Sequence, residues 1–155
     1  MALRTIRTEG DPVLSKISKP VTDINDHVRE IIDDLVETMR AADGVGLAAP
    51  QVGILRRIVV VEVEDKLYEL VNPVIVSSEG EEADTEGCLS VPGYQGEVKR
   101  PAKVTLTAQN RNGEKVSYEA EGLLARAFCH ELDHLDGILY TSKADKMYEI
   151  KEEEN

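Results

Sequence analysis

The 155-residue sequence predicts an α+β domain, and three observations predict it. One segment near the start and one near the end repeat apolar residues at the 3.6-residue period of a helix. Between them lie short stretches rich in β-branched residues, one of them apolar on every position. An Asn-Gly pair flanked by two alternating segments completes the pattern, which is that of a β-hairpin.

Residues 1–20 read as an extended arm with a turn at Gly10-Asp11-Pro12. Val28, Ile31, Ile32, Leu35 and Met39 then fall on one helical face, with Asn25 or Asp26 as the cap and Gly44 at the exit. A Gly-rich loop covers 44–53, and strands are predicted over 57–63 and 68–76. Ile58-Val59-Val60-Val61 is apolar on both faces, as in a strand covered on each side. Residues 79–86 are acidic and turn-like and predict a solvated loop. Val104, Leu106 and Ala108 share one face of a strand, as do Val116, Tyr118 and Ala120, on either side of Arg111-Asn112-Gly113-Glu114. A second helix is predicted from about Gly122 to Asp136, closed by Gly137. The chain divides into one domain over 1–142 and an acidic tail over 143–155, the tail expected as a frayed helix or disordered.

Composition narrows the function. Thirty acidic residues against 18 basic ones give a net charge of −12, which repels nucleic acid and anionic membrane alike. No apolar run approaches the roughly 20 residues that span a bilayer, and the N-terminus lacks the apolar stretch of a signal peptide. A cytoplasmic protein is expected. Two Cys are too few for a disulfide-stapled fold.

The chemistry centres on His130-Glu131-Leu132-Asp133-His134. On a helix, His130 and His134 lie one turn apart on one face and reach one metal ion, with Glu131 beside them. The plain reading of such a match is a solvated polar face. Here, however, Leu123, Ala127, His130 and His134 form one row and Leu124, Phe128, Glu131 and Leu135 the next, so the polar groups interrupt an apolar side. Buried without partners they would each cost about 2–7 kcal/mol, and a metal supplies the partner. His27, at a polar helix start, reads as a surface residue. A catalytic site needs a third ligand. Cys88, in Glu86-Gly87-Cys88-Leu89-Ser90, is the informative candidate, although a free Cys is commonly a small buried hydrophobe. Cys129 points about 100° away from His130 around the helix and packs elsewhere. Carboxylates are too abundant here to discriminate.

Gly44-Val45-Gly46-Leu47-Ala48-Ala49 matches a dinucleotide-binding fingerprint, but it follows a helix and runs into Pro50, the wrong context for that role. Close approach of the Gly46 backbone to an extended substrate suits it better. The neighbouring Gln51 amide is placed to donate to an oxyanion.

In their order and spacing, Gly44-Val45-Gly46-Leu47-Ala48-Ala49-Pro50-Gln51, Glu86-Gly87-Cys88-Leu89-Ser90 and His130-Glu131-Leu132-Asp133-His134 resemble the three motifs of bacterial peptide deformylases. The similarity runs from the N-terminal arm to about Tyr140. It implies antiparallel sheets packed around the helix that carries the His residues. It implies removal of the formyl group from formylmethionyl nascent peptides, with Cys88, His130 and His134 holding one divalent ion. That ion is Fe²⁺ in the cell, with Zn²⁺, Ni²⁺ or Co²⁺ as substitutes. Glu131 is implied as the proton carrier, with Gln51 and the N–H of Leu89 on the oxyanion. Val45, Gly46, Leu123 and Ala127 are the candidates for holding the peptide and its methionine side chain. Two departures stand out: many relatives carry Gln where this chain has Cys129, and some dock on the ribosome through a basic C-terminal helix where this chain is acidic. Arg126, one turn before His130, reads as a residue at the pocket mouth or a solvated one. The competing readings are an H-E-x-x-H endopeptidase, a Cys88 thiol hydrolase and a non-catalytic metal-binding module.

Overall fold

Two antiparallel sheets share no strand, and two helices flank the larger sheet. The structure, a computed structural model, describes residues 2–150. Helix α1 (Asp26–Ala41) starts where Asn25 accepts a hydrogen bond from the Val28 N–H at 3.1 Å. Its apolar face is the predicted one: Val28, Ile31, Ile32, Leu35 and Met39 are all buried. Its exit differs by one residue, because Asp43 takes the left-handed conformation at φ 55°. Gly44 instead packs against Leu89, whose Cδ1 would lie 2.7 Å from a Cβ there and would have to move.

The five-stranded sheet runs β1 (Gly46–Ala48), β2 (Ile58–Val63), β3 (Lys66–Glu79), β6 (Lys103–Gln109) and β7 (Lys115–Glu121) in spatial order. Glu64 and Asp65, at φ 53° and 63°, close the β2–β3 hairpin. The predicted Asn-Gly hairpin is β6–β7, with Val104 opposite Ala120 and Ala108 opposite Val116. Strand β2 explains its own composition. Ile58 and Val60 pack with α1, while Val59 and Val61 pack with helix α2 (Gly122–Leu135) on the other face. All four side chains are fully buried, a gain of about 1.5–3 kcal/mol for each.

The second sheet contains the departures from expectation. Residues predicted as an acidic loop form strand β4 (Glu82–Cys88), which pairs with β5 (Val91–Arg100). The start of the predicted frayed tail forms strand β8 (Ala144–Glu149), pairing with β5 on its other edge. Most β4 and β8 side chains face solvent, so these strands carry no apolar alternation, and main-chain pairing holds them instead. The last five residues of the tail lie outside the described ones. Helix α2 ends at Gly137, whose φ is 73° and whose missing Cβ leaves room for the Ser15 carbonyl carbon, 2.6 Å from where it would stand. No described helix is long and apolar enough to cross a membrane.

Candidate metal centre

Helix α2 lies between the sheets and turns its interrupted apolar face toward a cleft. One helical turn separates His130 from His134, and their ring centroids are 5.0 Å apart. The third group comes from the other sheet. Strand β4 ends at Cys88 and a tight turn through Leu89 and Ser90 leads into β5, so that Cys88 pairs with Val91. This brings Cys88 Sγ to 3.4 Å from His134 Nε2. One donor atom each from Cys88, His130 and His134 lies within 4.8 Å of the others.

These residues fit a divalent transition ion. A thiol and two imidazoles form an S/N/N donor set of the kind such ions take at sites with an open position. His130 and His134 are buried, and His134 Nε2 faces the Cys88 thiol, its neighbour in the donor set. Burial holds the His134 imidazole well below its ordinary pKa and therefore neutral, as a ligand must be. Burial also pushes His130 down, but its hydrogen bonds to Cys88 and Glu86 outweigh this and raise it to about 10. Binding of a cation by His130 thus displaces a proton.

Glu86 organises the surroundings of His130. Its Oε1 lies 2.8 Å from His130 Nδ1, leaving Nε2 of that ring for the ion. Arg100 grips both Glu86 oxygens, at 2.8 and 2.9 Å, and reaches Asp133 on α2 at 2.6 Å. Burial alone would raise the Glu86 pKa, yet the bonds from Arg100 and His130 prevail and bring it down to about 2. Arg126 is a correction to the sequence reading. It lines the wall of the cleft rather than standing solvated at its mouth, buried with its guanidinium on Glu86 Oε2, the Val98 carbonyl and the Glu82 carbonyl at 2.7–2.8 Å. The sequence assigns no role to Glu86, Arg100 or Asp133, although Glu86 and Asp133 lie inside two of the motifs. A usable signal existed for Glu86: in a strand, its side chain shares a face with Cys88 two residues on.

Glu131 lies 4% exposed beside the three donors, with Oε1 unpartnered. Burial pushes its carboxyl up to about 7. Strand β1 passes against it so closely that a Cβ on Gly46 would sit 2.5 Å from Glu131 Oε2. Gln51 is buried and held on both ends of its amide. Its Oε1 accepts from the Ala48 N–H at 2.9 Å, and its Nε2 donates to Ser90 Oγ at 3.0 Å and faces Cys88 Sγ at 3.7 Å. The predicted residues Val45, Gly46, Gln51, Cys88, Leu89, Leu123, Ala127, His130 and Glu131 all line one cleft of about 420 Å³. Leu123 and Val45 form its exposed apolar rim, while Ala127 is buried within it. Cys129 lines a separate cavity with Arg57 and Lys143, and both Cys residues are free thiols.

The model of the polypeptide deformylase family matches residues 3–149. The chain belongs to that family. Peptide deformylases from Acetivibrio thermocellus and Thermoanaerobacter pseudethanolicus are 56% and 53% identical to it, each over 99% of this chain and over 91% and 97% of their own lengths. The crystal structure of the Thermotoga maritima deformylase superposes with a TM-score of 0.91 at 42% identity, covering 94% of this chain and 99% of that one. A deformylase from Ehrlichia chaffeensis in complex with actinonin gives 0.92 at 36% identity, covering 94% and 91%. As a peptide deformylase, the chain is a metal-dependent hydrolase acting on N-formyl groups of nascent peptides. The endopeptidase, thiol-hydrolase and non-catalytic readings of the motifs fall away with that assignment.

Proposed function

We propose that the cleft takes the formylmethionyl end of a nascent peptide and hydrolyses the formyl amide to formate and a free amine, with the chain's own residues in the following roles. The observation that carries this reading is Glu131: a carboxyl raised to about 7, with one free oxygen, beside an S/N/N donor set at the floor of an apolar cleft. Cys88, His130 and His134 would hold a divalent ion, which would supply Lewis-acid polarisation and lower the pKa of water. The Glu131 carboxylate takes the proton of the attacking water and returns a proton to the departing amine nitrogen. The Gln51 Nε2 proton not given to Ser90, which faces Cys88 Sγ only at 3.7 Å, and the Leu89 N–H donate to the oxygen that becomes negative as the formyl carbon turns tetrahedral.

Peptide placement follows from topology. Strand β1 is at the edge of its sheet, paired with β2 alone. Its other edge is available to an extended peptide, which adds as a strand along Val45 and Gly46. The methionine side chain packs among Val45, Leu123 and Ala127. For the ion, Fe²⁺ is the proposed cellular occupant; intrinsic affinity orders favour Zn²⁺ over Fe²⁺, and Ni²⁺ or Co²⁺ suit the same donors. The cytoplasm is the proposed location, since nascent peptides are the substrate. A transient contact with the ribosome is part of this proposal, but not through a C-terminal docking helix, because Ala144–Glu149 form strand β8.

The test is formate release from a formyl-Met tripeptide by protein loaded anaerobically with Fe²⁺. Stoichiometric formate and a new amine are expected. Cleavage at internal peptide bonds without formate would overturn the reading.

A further inference from the structure

The two motifs that meet at Cys88 and Gln51 come from different sheets, and those sheets share no strand. Something must set their separation. Gln51 sits in the turn Ala49–Val52 that follows β1, while Cys88 and Ser90 sit in the β4–β5 turn. The N-terminal arm touches both. The Arg7 N–H donates to the Gln51 carbonyl at 2.6 Å, and the Glu9 N–H donates to the Ser90 carbonyl at 2.7 Å.

The arm has the character of a taut strap. Arg4 and Ile6 turn inward while Leu3, Thr5 and Arg7 face outward, the alternation of an extended chain. In such a chain, N–H groups two residues apart lie on one edge, about 6.5–7 Å from each other. At its upstream end the arm is pinned to α1, where the Ala2 N–H and the Arg4 guanidinium bond the Asp34 carboxylate at 2.7 and 2.8 Å. Downstream, Leu14 is buried and the Ser18 N–H donates to the Leu135 carbonyl at 2.8 Å, at the end of the helix that carries both His residues. One segment therefore grips the elements bearing all three motifs.

We propose that the arm is a positioning element of the active site: the main-chain N–H groups of Arg7 and Glu9 act as a ruler that fixes the Gln51 amide relative to the Cys88–Ser90 turn. This rests on the assignment of Gln51 as an oxyanion donor. Arg7 and Glu9 touch no reacting atom and act through Gln51 and Ser90. An error of about 1 Å in such a donor costs up to about 10²-fold in rate, which is the scale of effect the ruler guards against.

The experiment compares Arg7→Pro and Glu9→Pro, which delete the donors, with Arg7→Ala and Glu9→Ala, which keep them. A single Gly inserted after Thr8 keeps both donors but lengthens the ruler, and Gln51→Ala sets the ceiling of the effect. Expected results are a kcat loss of 10-fold or more in the proline and insertion variants, KM within threefold, and alanine controls within twofold of wild type. In protein prepared without metal, NMR signals of the Gln51 side-chain amide and of the Leu89 and Ser90 N–H groups shift in the same variants and hold in the controls. Unchanged signals and unchanged kcat in the folded proline or insertion variants overturn the proposal. Equal losses in the alanine controls overturn it as well, since the side chains would then be responsible. Failure of the proline and insertion variants alike to fold also overturns it, as the arm would then serve stability alone. If Gln51→Ala keeps full kcat, the oxyanion assignment fails by itself, and the NMR shifts alone decide whether the ruler exists.

Discussion

The two sheets are built on opposite physical principles. The five-stranded sheet buries apolar side chains on both faces, with α1 on one side and α2 on the other. The three-stranded sheet has a small core of Val91, Val98 and Tyr140; Arg100 pairs with Glu86 across β5 and β4, and Arg126 on Glu86 and Arg100 on Asp133 tie the sheet to α2. The first arrangement supplies stability without reference to the site. The second puts its strongest polar contacts where they orient a metal ligand. The catalytic centre lies on the seam, taking its thiol from the ionic sheet and its imidazoles from the helix of the apolar one.

That contrast can be broken at graded points. The largest effect is expected from removing the ion with a chelator: activity falls to background and returns with Fe²⁺, while far-UV circular dichroism stays unchanged because the apolar sheet does not depend on the ion. Collapse of the dichroism would instead make the site structural. Next is Glu131→Ala, expected to lower kcat by about 10²–10⁴-fold with the ion still bound stoichiometrically by elemental analysis. Loss of the ion in that variant would contradict the role given to Glu131.

Glu86→Ala strikes the seam itself. It leaves two buried guanidinium groups short of their carboxylate and is expected to destabilise the fold by about 3–5 kcal/mol in urea titration. Metal affinity should fall about 10–100-fold at the same time. Leu35→Ala, in the core of α1, is expected to cost about 2–5 kcal/mol of stability with KM and metal content unchanged. A shifted KM there would mean that the two sheets are less independent than their packing indicates. The smallest effect belongs to Lys103→Ala, which removes an exposed pair with Glu121 and should change stability by at most about 1 kcal/mol.

Legibility in the sequence followed the same division. Helix α1, the β6–β7 hairpin and helix α2 announce themselves because one-sided apolar burial imposes a period, and strand β2 because burial on both faces leaves an unbroken apolar run. The metal donors were legible through i and i+4 spacing and a cysteine set among small residues. Strands β4 and β8 were not, since their side chains face water and main-chain pairing leaves no mark on composition. Arg126 was misplaced for a related reason. A buried arginine is recognisable only through its partners, and those are Glu86, 40 residues away in sequence, and two main-chain carbonyls.

The open edge of β1 has a consequence for solubility. A sheet edge left unpaired for a peptide substrate is also a template for the edge of another chain. Here the exposure is confined to Val45 and Gly46, which line the cleft; Leu47 and Ala48 are fully buried, and the Ala48 N–H is taken by Gln51 Oε1. Such a short seat admits a single extended chain end and gives too little ladder for sheet-to-sheet association, while a net charge of −12 keeps copies apart. The enzyme therefore keeps a binding edge permanently exposed without inviting self-assembly.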